Sequence, residues 1–144
     1  MANYAKAASD FKARLDAKVK RRTDLSSFFE ALRSSIRKEV ERANVELSAN
    51  SAPNIDLRQE GHEEPTIELA CGKAICKISQ DRTVPSVAAI VTGEAGEKTL
   101  TFIILIEESP VTAQRVSLAP ALEEKVRTSE IAATIVEELI MGAP

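Results

Sequence analysis

The apolar residues of this chain change period once, and that change limits the folds open to it. From Tyr4 to Leu47 they recur every three or four positions, as along one side of a helix. From Ile55 they recur at every second position, as along one side of a strand, and a helical period returns near residue 130. The pattern predicts an α+β fold in one domain: a helical arm over 1–50, an antiparallel meander of about five to six strands over 54–118, and a C-terminal helical segment over 120–142.

Two apolar stripes make up the arm. Tyr4, Ala8, Phe11, Leu15 and Val19 form the first; Leu25, Phe28, Phe29, Leu32, Ile36, Val40, Ala43 and Leu47 form the second, which starts six residues after Val19. Six residues turn a helix by about 600°, so the stripes point about 120° apart. Thr23 or Asp24 can cap a fresh helix at a seam over Lys20 to Asp24, and the expectation is two helices or one sharp kink. An unbroken helix over 3–48 would be about 65–70 Å long, longer than the domain that carries it, and would need a partner. The turn residues Asn50, Ser51 and Pro53 stop it.

The strands follow from alternation. In NIDLRQE, Ile55 and Leu57 point one way and Asp56 and Arg58 the other. A turn at Gly72 and Lys73 sets Cys71 against Ala74, Leu69 against Cys76 and Ile67 against Ile78 on one apolar face, with Glu68 across from Lys77 on the other. A second hairpin joins residues 86–92 to 98–107 through the loop GEAGE. In its second strand Leu100, Phe102, Ile104 and Ile106 share one face, but Ile103 and Leu105 occupy the other. Such a strand is expected to be covered on both sides, either by helices flanking both faces or by another subunit. VTAQRVSL reads as an edge strand after Pro110. Pro120 is expected to open a short helical stretch stacking Leu122 on Val126, before a last helix whose stripe is Ile131, Ala132, Ile135, Val136, Leu139 and Ile140.

Length and composition narrow the class. At 144 residues, 44% hydrophobic and 28% charged, the chain has the balance of a globular protein, with no run approaching the ~18 apolar residues of a membrane span. With no apolar segment of the signal-peptide kind at its start, a cytoplasmic location is expected. Charge is distributed unevenly: residues 1–50 hold 11 Lys/Arg against 7 Asp/Glu, and residues 51–144 hold 8 against 15. The two parts should attract, favouring an arm docked on its own body or on a second copy.

No motif for catalysis emerges. TGEAGEKT, residues 92–99, imitates a phosphate loop, but Gly93 and Gly96 enclose two residues and Glu97 precedes Lys98. Cys71 and Cys76 have neither zinc-knuckle nor thioredoxin spacing and read as small buried thiols. His62 is the one histidine and reads as a solvated loop residue beside Glu63 and Glu64. Adjacent carboxylates at Glu107/Glu108, Glu123/Glu124 and Glu137/Glu138 diverge and form no ready acid/base pair. The expectation is therefore no catalytic residue, no metal and no cofactor.

What remains is binding. The leading expectation is a non-enzymatic protein-binding or assembly module, a homodimer, with Ile103 and Leu105 as interface residues. An alternative is a nucleic-acid-binding module that contacts phosphates through Lys18, Lys20, Arg21 and Arg22, although the chain is 3% aromatic and has a pI near 5.3. A third is a small-molecule or lipid binder with a pocket between sheet and helices.

Overall fold

No proline precedes Pro53 and no glycine precedes Gly61, and five alanines lie within residues 5–17, so nothing local interrupts a helix in the first 50 positions. In a computed structural model, which describes residues 2–60, 66–81, 83–105, 111–116 and 125–143, that segment is one unbroken helix, α1 (Tyr4–Ala49), of 46 residues. At 1.5 Å per residue it is about 69 Å long.

The expected break over Lys20 to Asp24 is absent. Thr23, the expected cap, instead donates its hydroxyl to the Val19 carbonyl at 3.0 Å inside the helix. Stripe phase overstates the turn because Val19 is the outermost residue of its stripe. From Leu15, ten residues turn the helix to within about 80° of Leu25, so both stripes fit one broad side. Asn3 caps the start by accepting from the Lys6 N–H at 3.1 Å. At the other end Ser51 takes a φ of 54° and the Ala52 N–H reaches back to the Leu47 carbonyl at 2.8 Å, which closes the helix.

Seven strands follow in an antiparallel meander, one or two more than expected: β1 (Ile55–Glu60), β2 (Thr66–Cys71), β3 (Ala74–Asp81), β4 (Ser86–Gly93), β5 (Gly96–Leu105), β6 (Thr112–Arg115) and β7 (Lys125–Val126), in sequence order across the sheet. The β2–β3 register is the one the alternation predicts, with Cys71↔Ala74, Leu69↔Cys76, Ile67↔Ile78 and Glu68↔Lys77. The GEAGE loop is tighter than expected, because Gly93 pairs with Gly96 and only Glu94 and Ala95 turn. VTAQRVSL does not form an edge: β7 pairs outside β6 through Ala113↔Val126 and Gln114↔Lys125. Val126 is thus a strand residue and not part of a helical stack on Leu122. Residues 117–124, Ile106, Pro110 and the loop containing His62 lie outside the described residues.

The closing helix, α2 (Thr128–Gly142), lies over β2, β3 and β4, with α1 beside it and reaching β1. Both helices occupy one face of the sheet. Between the layers, Ile131, Ile135 and Leu139 of α2 meet Leu32 and Ile36 of α1 and the inward residues Leu69, Cys76, Ile78, Val87 and Phe102. Two hydrogen bonds orient α1 over the strands: Gln80 Nε2 donates to the Leu25 carbonyl at 3.1 Å, and the Ile55 N–H donates to Asn44 Oδ1 at 2.7 Å. The helix therefore runs from the β3–β4 turn toward the start of β1, and its first five turns extend beyond the sheet.

Candidate functional site

Three features remain open on this framework. The first is the free half of α1. Every residue from Ala2 to Thr23 is exposed, including Tyr4 at 80%, Phe11 at 67%, Leu15 at 48% and Val19 at 55%. At 100° per residue, Tyr4, Ala8, Phe11, Leu15 and Val19 fall within an arc of about 80°. This stripe lies less than a quarter turn from the side on which Leu25, Phe29, Leu32 and Ile36 are buried. The helix thus carries its packing side on past the end of its own body, where no part of the described chain covers it. The arm does not dock on its own sheet; its link near the root is a 3.4 Å bond from Arg21 Nη2 to the Thr83 carbonyl.

The second feature is the outer face of the sheet. On β5, Leu100, Phe102 and Ile104 are buried against the helices, whereas Ile103 is 42% exposed and Leu105 half-buried on the opposite side. Helices flanking both faces would have covered them, but the two helices among the described residues, α1 and α2, share the other face. Ile90 is exposed on the same side, with Thr99 opposite it on β5 and Lys77 opposite it on β3. Ser86 and Gln114 flank Ile103, giving a shallow floor of apolar and short polar side chains.

The third is a groove of about 340 Å³ at the root of the arm, lined by Lys18, Arg21, Arg22, Leu25 and Thr83. Lys18, Arg21 and Arg22 stand at i, i+3 and i+4 and so share one side of the helix. Lys20 is not among the lining residues, so the fold gathers three of the four cations expected to contact phosphates.

The chemistry elsewhere is closed off. Cys71 and Cys76 are free and lie on the buried face. Burial pushes the Cys76 thiol up to about 12; burial, then the Asp56 charge, raises Cys71. Because the folded state favours the neutral thiol, its contribution is intact below the ordinary value of 9.0 and is lost as pH rises toward about 12. Both thiols should therefore resist a disulfide reagent at pH 8 in the folded protein and react at once in denaturant, and fast reaction under native conditions would contradict their burial. Arg33 is half-buried, with Nη1 3.3 Å from Glu30 and its guanidinium 5.5 Å from the centre of the Phe29 ring, so it serves packing. Glu138 pairs with Lys98 at 2.9 Å. Among the described residues no three His, Cys, Asp or Glu side chains gather in a metal-holding group, and no helix is long and apolar enough to cross a membrane. Side chains pack the middle of the layer between sheet and helices, and at its margin a groove of about 470 Å³ opens between Asp24, Phe28 and Ala31 of α1, Thr112 of β6 and Arg127 and Thr128 at the start of α2.

No protein-family model, curated protein or solved structure matches the chain.

Proposed function

We propose that this chain is a non-enzymatic assembly module of the cytoplasm that pairs with a second copy of itself through its N-terminal arm. The observation that carries the reading is the exposure of Tyr4, Phe11, Leu15 and Val19 along one side of a helix that overhangs its body by about 30 Å. These side chains present on the order of 400 Å² of apolar surface, the size of the largest apolar patch on a typical monomer, which is often functional. Burying it favours association by about 10 kcal/mol per arm, much of which the lost freedom of the two chains and of their side chains offsets. Two free thiols are in keeping with a reducing compartment.

Sedimentation equilibrium between about 1 and 100 µM provides the test, since micromolar affinity spans that range. The expected species has twice the 15.6 kDa chain mass. A single 15.6 kDa species throughout would overturn the reading.

A second reading draws on the basic groove. Lys18, Arg21 and Arg22 around one concavity can neutralise adjacent phosphates of a nucleic-acid backbone. Three phosphate contacts give a slope near −2 to −3 in log K against log salt. Charge reversal at Lys18, Arg21 and Arg22 should abolish binding of a labelled oligonucleotide at about 50 mM salt. Equal binding by the reversed variant would remove this reading.

A further inference from the structure

We infer that the dimer is a reciprocal exchange in which the arm of each chain lies across the open outer face of the other chain's sheet. This rests on the self-association just proposed and names the surface that receives the arm. The arm leaves its own body at the β3–β4 turn, where Arg21 meets Thr83, with its apolar stripe less than a quarter turn from the side of α1 that packs on the body. A half-turn about an axis in the sheet plane, perpendicular to the arm, sets a second copy end to end with the first. That copy's sheet is then inverted, so its outer face lies directly beneath the first chain's arm, one helix-to-sheet distance away. The same rotation carries the second arm under the first sheet, and the contact closes as an isologous pair.

Dimensions agree. From Tyr4 to Val19 the stripe is about 22 Å long at 1.5 Å per residue. From Ile103 to Glu97 the outer face of β5 is about 20 Å long at 3.3 Å per residue. Because the β3–β4 turns meet in this arrangement, Val19 reaches the row of Ile103 and Phe11 reaches the row of Ile90 and Thr99. Two such contacts, each about 20 Å by 10 Å, bury roughly 800 Å² in total, the size of a weak, transient protein interface.

Charge selects this arrangement over two arms packed together. Residues 2–23 carry seven Lys/Arg against two Asp, a balance of +5, so paired arms would repel. On the outer face of β2–β5 the register places Glu68, Asp81 and Glu97 with Lys77, a balance of −2 that attracts the arm. Each sheet then gains a helical layer on its second side, which accounts for Ile103 and Leu105 on β5.

Site-specific cross-linking tests the pairing. Four singly substituted chains, Phe11→Cys, Val19→Cys, Ile90→Cys and Ile103→Cys, all change exposed positions, and the buried natural thiols stay silent. Chains are mixed in pairs, exchanged and mildly oxidised. Phe11→Cys with Ile90→Cys, and Val19→Cys with Ile103→Cys, should form interchain disulfides at least ~10-fold faster than either arm variant alone, a ratio set by proximity. Rapid self-linking of the arm variants would overturn the exchange while leaving self-association intact. Monomeric mass for every chain would remove both. As an independent check, Ile103→Arg should weaken the dimer at least ~10-fold, since it buries an unpaired charge under the arm. Unchanged affinity would contradict this placement.

Discussion

Replacing Phe11 and Leu15 together by glutamine should leave a folded monomer, with the dimer dissociation constant raised at least about 10³-fold. Each residue is a large side chain in the middle of the exposed stripe, and truncating such an anchor costs about 2 kcal/mol or more of binding. Two of them amount to about 4 kcal/mol for one arm, and because both chains of the pair carry the change, the corresponding factor of 10³ is a lower bound. Glutamine is chosen because it is a good helix former, so the arm keeps its conformation while losing apolar surface. Neither residue touches the core, so far-ultraviolet circular dichroism and the unfolding midpoint of the isolated monomer should not move. Sedimentation equilibrium of the double variant beside the unmodified chain reads the change, and equal dissociation constants would show that the stripe is not the interface.

The second large effect concerns the body. Phe102→Ala should destabilise the fold by about 3–5 kcal/mol, the cost of removing a fully buried aromatic ring and leaving a cavity. Phe102 is 1% exposed on the inner face of β5, flanked in register by Val87 and Arg115. Its neighbour in sequence provides the contrast. Ile103→Ala removes a side chain that is 42% exposed and should cost the monomer less than about 1 kcal/mol. Denaturant unfolding of both variants in the monomeric Phe11→Gln, Leu15→Gln background separates the two faces of one strand. A similar loss for both would mean that the outer face is already covered within the chain.

Much of this layout is legible in the residues. The β2–β3 register follows from Ile67, Leu69, Cys71, Ala74, Cys76 and Ile78, because a slip by one residue would turn all six to water. The double-sided apolar character of residues 102–105 marks the outer face as unusual from sequence alone. The continuity of α1 is not legible from its stripes, although the absence of proline and glycine before Pro53 points to it. Stripe phase is a weak guide where charged residues interrupt the seam, as Lys18 and Arg22 do. The two-residue β7 escapes sequence reading because Lys125 and Val126 show too little alternation to reveal a strand. The groove at the arm's root is half visible: helical spacing brings Lys18, Arg21 and Arg22 together, but Thr83 joins them only through the tertiary fold.

The arm is helical by composition and by propagation from a packed helix, yet its hydrogen bonds are open to water unless something covers them. Amide hydrogen exchange along residues 4–22 is therefore the most direct measure of whether the arm has a partner. With the arms paired between two copies, protection of these amides rises with protein concentration and follows the dimer fraction, while that of the Leu25–Leu47 segment stays constant. Rapid exchange of the arm at every concentration, with a fully protected body, would contradict the pairing.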